Sequence, residues 1–348
     1  MDIIRGIEGD YIETKDHLFF DVKGLLQPKD RKICFIRFYP HSEGDRIKNG
    51  RKYKKVYDLK ERYLFLKDHY PKYLFFSKQL DLEVQGVKNK DIKEIFTPTE
   101  YFKSLYYKSN LSRIEKCSKE LCELFISEGK VPSTSIGITG SSMVDLSKDD
   151  SDIDLIIYGT DVSLKFQEKL LELLNEHEFC RKYTLQEFKS HYEWRAGGSD
   201  IPLDNFIKCE QRKLHQGMFK GIEFFIRYIK SPEDWQRSFY DYKYKNCGRI
   251  KLKALILEDK DSIFTPCSYK INVIKIIESD IPQNLMHLNN ISEINSFRGR
   301  FCEHAKKGEK IIVEGKLEKI FIEGKDKKKY YRILLSDQVQ DKILLLGK

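Results

Sequence analysis

The chain has 348 residues, of which 40% are hydrophobic and 34% are charged, and this balance excludes an intrinsically disordered chain. Its 63 Lys and Arg residues outnumber the 54 Asp and Glu residues and leave a formal charge of +9. No apolar run reaches the roughly 20 residues of a membrane-spanning helix. The charged start, MDIIRGIEGDY, lacks the apolar centre of a signal peptide. We therefore expect a soluble cytoplasmic protein of two or three domains with no membrane partner.

The eight cysteines occur singly along the chain. No two of them have the CxxC spacing of a redox motif, and no group of cysteines and histidines has the spacing of a zinc site. We therefore expect reduced and mostly buried thiols, as is usual inside cells.

The first predicted part covers residues 1–107 and mixes short strands with one helix. Residues 18–22 and 33–38 are rich in aromatic and β-branched side chains, which favours strands. Residues 59–73 carry apolar side chains at helical spacing. Residues 46–55 form a dense basic run, which is typical either of a phosphate contact or of a solvated turn between strands.

The second predicted part covers residues 108–258 and alternates between helices and strands. Apolar residues between Ser109 and Gly129 recur every three or four positions, which predicts a helix with Ser109 as its N-cap. The further predicted elements are a strand over 135–139, a strand over 153–158, a helix over 164–178 and a strand over 221–229. This alternation indicates an α/β or α+β part.

The third predicted part covers residues 259–348 and is rich in strands. The expected strands span 271–277, 310–322 and 330–335, with a hairpin turn over 323–326. Several short strands with glycine-bearing turns favour a small β-barrel of the OB-like kind. A second basic run, from Lys325 to Arg332, lies in the same part and is another candidate for a phosphate contact.

Two carboxylates at the start of a predicted strand are the main candidates for chemistry. Because side chains alternate along a strand, Asp152 and Asp154 point the same way, while Ile153 and Leu155 point into the core. Two carboxylates held close together repel each other unless a cation neutralises them. Hard oxygen ligands suit Mg²⁺ or Mn²⁺, so the pair predicts a site for one of these ions.

A glycine and two serines precede this pair in the sequence. Gly140 ends the predicted strand over 135–139 and allows a close approach of the backbone. Ser141 and Ser142 are expected to begin a short helix, whose free N–H groups, together with a hydroxyl, would hold phosphate oxygens. A phosphate cradle that faces a metal-binding carboxylate pair is what phosphoryl or nucleotidyl transfer requires.

The Gly-Ser pair, followed after ten residues by Asp-apolar-Asp-apolar, resembles the signature of the DNA polymerase β-like nucleotidyltransferase superfamily. The resemblance covers residues 109–258 and implies transfer of a nucleoside monophosphate from an NTP, with pyrophosphate leaving. It also implies that Gly140, Ser141 and Ser142 contact the nucleotide and that Asp152 and Asp154 hold Mg²⁺ or Mn²⁺. The chain as a whole resembles archaeal proteins that carry such a domain. The expected fold is an α+β or α/β transferase core with an N-terminal α+β part and a C-terminal small barrel.

The family places a third carboxylate on a neighbouring strand, where it ligates a metal and activates the attacking hydroxyl. Glu223 matches this position best because apolar residues flank it, as they flank Asp152 and Asp154. Asp200 and Asp204 are the rival candidates, and they lie in a segment with glycine and proline.

The expected activity is therefore metal-dependent nucleotidyl transfer to a nucleic acid, with RNA favoured. The basic N-terminal part and the small barrel would bind the acceptor. A protein or small-molecule acceptor is the alternative within the same enzyme class. A nucleic-acid-binding protein that has kept the fold and lost catalysis is the alternative from a different class.

Overall fold

We analysed a computed structural model of the chain, which describes residues 5–196, 198–281, 290–323, 328–337 and 339–347. The chain divides into two compact units. The first runs to Ser77 and continues through 83–181 and 216–239, and the second contains 78–82, 182–215 and the chain from Tyr240 onward. Within the described residues, no helix combines the length and the apolar character needed to cross a bilayer.

The structure is a mixed α+β fold with three sheets. The strands are β1 (Tyr11–Thr14), β2 (Phe19–Val22), β3 (Arg31–Pro40), β4 (Arg46–Lys48), β5 (Arg51–Lys55), β6 (Leu74–Ser77), β7 (Leu82–Lys88), β8 (Ile92–Phe96), β9 (Ile136–Ile138), β10 (Ile153–Tyr158), β11 (Cys180–Arg181), β12 (Gln216–Phe219), β13 (Ile222–Ile229), β14 (Tyr242–Glu258), β15 (Cys267–Ser279), β16 (Ile291–Ser296), β17 (Lys310–Ile322), β18 (Lys328–Leu335) and β19 (Lys342–Leu345). The helices are α1 (Leu59–His69), α2 (Pro98–Ser104), α3 (Arg113–Ser127), α4 (Gly140–Met143), α5 (Thr160–Glu176), α6 (Leu185–Arg195) and α7 (Leu203–Glu210).

The first sheet is a half-barrel in the order β4-β5-β3-β2-β1-β8, with β7 pairing with β3 and β6 with β7. Strand β2 is buried on both faces, because Phe19 and Phe20 enter different apolar clusters. Phe20 packs with Leu66 of α1. Phe19 packs with Met143 and Val144, which follow the Gly-Ser pair. The first sheet thus packs directly on the segment that bears the candidate motif, and both belong to the first unit.

The second sheet belongs to the same unit and has the order β11-β12-β13-β10-β9. Strand β10 runs parallel to β13 and antiparallel to β9. Helices α3 and α5 pack against β10, and the rings of Phe125 and Phe166 lie 4.9 Å apart between the helices. The predicted strands over 135–139, 153–158 and 221–229 are confirmed with small shifts at their ends.

The predicted helices over 59–73 and 164–178 are found as α1 and α5 with shifted ends, and the predicted N-cap of the helix between them is wrong. Helix α3 begins at Arg113, with Ser112 as its N-cap rather than Ser109. The reason is a reciprocal capping box: the Ser112 hydroxyl accepts from the Glu115 N–H, and the Glu115 carboxylate accepts from the Ser112 N–H at 2.8 Å. Ser109 lacks a glutamate three residues later, so sequence spacing alone favoured the wrong serine.

The third sheet lies in the second unit and closes into a ring, here called the ring sheet. Its order is β14-β15-β16-β18-β17-β19, and β17 also pairs back onto β14, which closes the first five strands into the ring. The pair β16–β18 is parallel and the other pairs are antiparallel. Side chains such as Leu252, Tyr269, Val313 and Ile333 fill the interior. The expected strand-rich third part is thus a ring-like sheet, and β14 is its first strand although the sequence groups those residues with the middle part.

The predicted hairpin after residue 322 agrees with the pairing of β17 and β18, in which Ile322 faces Lys328. Residues 324–327 of that turn, and with them the start of the second basic run, lie outside the described residues. The cysteines within the described ranges are free thiols, and all but Cys247 are buried, as expected.

Candidate active site

Asp152 and Asp154 stand at the start of β10, next to the glycine–serine turn. Asp152 is exposed just before the strand and Asp154 is half-buried within it. Burial, and after it the neighbouring charge of Asp152, raise the pKa of Asp154 to about 6 against the opposing cations of Arg227, Lys55 and Arg37. The two carboxylates therefore destabilise each other's charge, which a divalent cation between them would relieve. The donor set fits Mg²⁺ or Mn²⁺.

Gly140 has no side chain because the Asp154 carboxylate occupies that space. Its φ angle is +76°, a conformation that favours glycine, and a Cβ placed there would overlap Oδ2 of Asp154 and lie 3.0 Å from its Cβ. The backbone N–H of Thr139 also donates to the Asp154 carbonyl at 2.9 Å. The turn and the strand are thus in direct contact.

Ser141 and Ser142 begin the expected short helix, which is a single turn over Gly140–Met143. Both serines are buried. The carbonyl of Ser141 accepts a hydrogen bond from Leu146 N–H at 2.9 Å, and that of Ser142 accepts one from Asp145 N–H at 3.1 Å. The turn therefore folds back on itself, and its phosphate-binding role stays a prediction.

Glu223 shares the sheet face of the carboxylate pair. In the parallel pairing of β10 with β13, Ile153 faces Phe224 and Asp154 faces Phe225. The alternation therefore directs Glu223 to the same side as Asp154 and sets it next to Asp152. No three or more His, Cys, Asp or Glu side chains come together as a metal-binding group in the described part of the chain. Its role as a third ligand stays a prediction.

The two rival carboxylates belong to the second unit. Asp200 forms an ion pair there with Lys342, whose Nζ lies 2.6 Å from Oδ2 of Asp200. Asp204 lies in the first turn of α7, where a negative charge is favoured by the helix dipole. Both therefore have a structural explanation.

A buried charge network lies on the same side of the first unit as Asp154. Arg227 of β13 lies 3.1 Å from a Glu8 oxygen and 3.5 Å from an Asp21 oxygen. Lys23 lies 2.8 Å from Asp21. Burial alone would raise the pKa of Asp21, but the cations of Lys23, Arg227 and Arg37 overcome burial and lower it. The acidic partners of Arg227 lie about 200 residues earlier in the chain, so its local sequence does not indicate them.

The basic run over 46–55 forms the β4–β5 hairpin, which is attached to the loop between the two halves of the motif. The Arg46 guanidinium donates to the Leu146 carbonyl. Lys48 Nζ lies 2.9 Å from an oxygen of Asp145. Arg46 and Lys48 therefore fix the hairpin beside the candidate site, and its contact with phosphate stays a prediction.

Lys55 ends this hairpin and lies within the electrostatic field of the carboxylate pair. Burial and the Arg37 cation lower the pKa of Lys55 to about 8, against the opposing charges of Asp152 and Asp154. Its ammonium lies 4.8 Å from the ring centre of Tyr57, a residue that is 69% exposed. Sequence reasoning included Lys55 as one member of the basic run and did not connect it with the carboxylate pair.

The comparisons with known proteins find similarity over nearly the whole chain but indicate no function. The chain is 27% identical over 336 residues to the uncharacterized protein MJ1086 of Methanocaldococcus jannaschii, and the match covers 94% of each chain. No family model matches the chain, and no solved structure matches it. The geometry of the site therefore carries the functional argument.

The raised pKa of Asp154 predicts a pH-dependent stability difference in the presence of a chelator. An acid whose pKa is higher in the folded state favours folding while protonated, so its contribution is complete below about pH 4 and is lost as the pH rises through about 6. Asp154→Asn mimics the protonated form. The Tm of Asp154→Asn minus the Tm of the natural protein should therefore be larger at pH 8 than at pH 4.5.

The control for this prediction is Asp150→Asn, because Asp150 is exposed in the preceding loop. Thermal unfolding of the three proteins at both pH values provides the comparison. A Tm difference for Asp154→Asn that is the same at both pH values would contradict the prediction.

Proposed function

We propose that the chain is a metal-dependent nucleotidyltransferase that moves a nucleoside monophosphate from an NTP to an acceptor hydroxyl. The observation that carries the proposal is the contact between Gly140 and Asp154, which joins the glycine–serine turn to the carboxylate strand. A turn suited to phosphate and a carboxylate pair suited to a divalent cation then meet at one point. That combination is what nucleotidyl transfer from an NTP requires.

In the proposed reaction, the acceptor oxygen forms a bond to the α-phosphorus while the α–β phosphoanhydride bond breaks and pyrophosphate leaves. Bound Mg²⁺ or Mn²⁺ would supply charge neutralisation of the phosphates and acidify the attacking hydroxyl. Asp152 and Asp154 would hold the ion, and Ser141 and Ser142 would orient the phosphates. Glu223, on the same face, would accept the proton of the attacking hydroxyl.

A nucleic acid, with RNA favoured, is the proposed acceptor. The ring sheet supports this choice, because five strands closed in the order β14-β15-β16-β18-β17 with one parallel pair agree with an OB-like barrel. Such barrels bind single strands through aromatic stacking and a positive groove. A protein or a small molecule is the alternative acceptor.

A nucleic-acid-binding protein without catalysis is the second candidate function. One observation favours it: within the described ranges, Glu223 and the Asp152–Asp154 pair do not form a three-membered metal-binding group. The retained carboxylate pair, with the raised pKa of Asp154, favours the enzyme.

Label transfer tests the proposal and identifies the acceptor. The purified protein is incubated with each α-labelled NTP, Mg²⁺ or Mn²⁺ and an extract of its source, and separate portions are then treated with ribonuclease and protease. Label lost to ribonuclease is the expected result. Label lost to protease would indicate protein nucleotidylation. If neither macromolecular label nor pyrophosphate is formed, the catalytically inactive binding protein is favoured.

The position of Lys55 predicts a role in binding the triphosphate. Lys55→Ala should raise the KM for NTP about tenfold or more, because a cation near the carboxylates would otherwise contact a phosphate oxygen, and a hydrogen bond to a charged group contributes about 1.5–3 kcal/mol. The matched control is Lys54→Ala, since Lys54 is exposed and points to the opposite side of β5. Equal KM values for the two variants would contradict this role.

A further inference from the structure

The extended ends of three strands in the ring sheet form a basic and aromatic surface. Phe321 of β17 faces Lys243 of β14 on one side and Lys329 of β18 on the other. Two residues along, Lys319 faces Lys245 and Tyr331 in the same way. Because residues two apart on a strand share a face, these six side chains point to one side. We call this surface the lysine face.

The lysine face continues the inner side of the ring. The next pair along β17 and β18 on this side is Leu317 with Ile333, and both are fully buried in the ring's core. Tyr331 packs against the edge of that core. Beyond it, Lys243, Lys245 and Lys329 are exposed. The face is therefore anchored by apolar packing at one end and open to solvent at the other.

The arrangement of charge on this face is unfavourable within the chain. Lys245 and Lys319 are direct cross-strand neighbours, and like charges in that position destabilise a sheet. The Lys319 ammonium lies 5.5 Å from the ring centre of Phe321 and 5.4 Å from that of Tyr331, so aromatic faces offset part of the repulsion. Glu323, next in the alternation, adds one carboxylate at the end of β17.

The opposite face of the same strands has compensated charges. Glu318 lies 2.8 Å from Arg332 and 2.9 Å from Lys316, and Arg332 also donates to Asn295 at 3.2 Å. One face of the strands is thus neutralised by its own side chains, whereas the lysine face keeps an excess of positive charge. An anionic partner would relieve that excess.

We propose that the lysine face binds single-stranded nucleic acid, with bases on Phe321 and Tyr331 and phosphates on the lysines. Lysines two residues apart are about 7 Å from each other along a strand, which lets each meet a different phosphate of an extended chain. Stacking on aromatic rings combined with cationic contacts is the usual mode of binding single strands. The inference rests on the proposed nucleic-acid acceptor and gives that acceptor a binding surface.

The test is binding of a fluorescein-labelled U12 oligonucleotide to the full chain, measured by anisotropy without NTP or metal at 50–300 mM salt. Lys243→Ala/Lys245→Ala/Lys329→Ala should weaken binding at 100 mM salt at least about tenfold. It should also reduce the slope of log K against log salt by about 2, since each phosphate contact on a single strand contributes about 0.7. The control, Lys306→Ala/Lys307→Ala/Lys328→Ala, removes the same charge from exposed lysines off this face and should leave the slope unchanged.

A second pair of variants separates stacking from charge. Phe321→Leu and Tyr331→Leu should each weaken binding about tenfold with no change in the salt slope, because base stacking is not a phosphate contact. Thermal unfolding of each variant checks that it is folded, and Lys243→Gln replaces the triple variant if that one unfolds. The proposal is overturned if the natural protein does not bind U12 at 50 mM salt, or if the triple variant keeps both its affinity and its slope.

The two proposals fail in different ways. If oligonucleotide binding depends on the lysine face but no NTP gives label transfer, the proposed transferase activity is contradicted and the proposed binding surface is supported. If the protein transfers label to RNA but its lysine-face variants bind U12 normally, the proposed binding surface is contradicted and the proposed transferase activity is supported.

Discussion

Removing both carboxylates of the motif should abolish nucleotidyl transfer. We expect Asp152→Asn/Asp154→Asn to lower the rate of pyrophosphate release from NTP by about 10³-fold or more. Metal-derived charge stabilisation contributes several kcal/mol, and each 1.4 kcal/mol corresponds to about tenfold in rate. The fold should survive, since Asn retains the volume of Asp and removes the charge that Asp154 carries in a half-buried position.

The control for this result is Asp149→Asn/Asp150→Asn. Both residues are exposed in the loop before β10, so this variant removes two charges close to the motif without touching the strand. It should retain nearly the full rate. Equal rates for the two double variants would show that the carboxylate pair takes no part in catalysis.

The second large effect is expected at Gly140. Gly140→Ala forces an alanine into a φ of +76° and pushes its Cβ against the Asp154 carboxylate. We expect a loss of about 2–5 kcal/mol in the free energy of unfolding, of which about 1–2 kcal/mol comes from the backbone conformation and the rest from overpacking. We also expect transfer to fall at least about 100-fold, because the displaced carboxylate belongs to the proposed metal site.

Gly221 is a matched control within the same unit. Its φ is +77°, almost the same as that of Gly140, but a Cβ there would meet no atom within 4 Å. Gly221→Ala should therefore cost only the backbone part, about 1–2 kcal/mol, and leave transfer intact. Denaturant unfolding measures both costs. If they prove equal, Gly140 is required for its backbone conformation alone and not for its contact with Asp154.

The local part of the candidate site was predictable from the sequence. Alternation along a strand predicted that Asp152 and Asp154 share a face, and the position of Gly140 after an apolar strand predicted a close backbone approach. Both depend on neighbouring residues only, so the sequence contains the signal. The contact between Gly140 and Asp154 adds the physical reason for a glycine at position 140.

The charges around the site were not predictable, because they come from distant segments. Arg227 meets Glu8 and Asp21 across about 200 residues, and Lys55 approaches the carboxylates from a hairpin about 100 residues earlier. The sequence around Arg227 or Lys55 does not predict which distant charged residues each one meets. Ion pairs of this kind follow from the packing of the half-barrel on the second sheet, which propensity and spacing do not encode.

In the ring sheet, too, some strands were predictable from the sequence and one was not. The strands β17 and β18 were predicted from their β-branched and aromatic residues and the turn between them. Strand β14 was not assigned to the barrel, although it pairs with β17 to close the ring. Its alternation of tyrosine and lysine predicts an amphipathic strand equally well in either part, and only long-range pairing decides to which sheet it belongs.

The most direct measurement is binding of Mn²⁺ together with an NTP analogue that cannot be cleaved between its α and β phosphates. It needs no acceptor and measures metal binding at the carboxylate pair directly. Electron paramagnetic resonance should show Mn²⁺ bound to the natural protein in the presence of the analogue, and that signal should be lost in Asp152→Asn/Asp154→Asn and kept in Asp149→Asn/Asp150→Asn. Equal Mn²⁺ binding by all three proteins, or none by the natural protein, would contradict a metal–nucleotide site at Asp152 and Asp154.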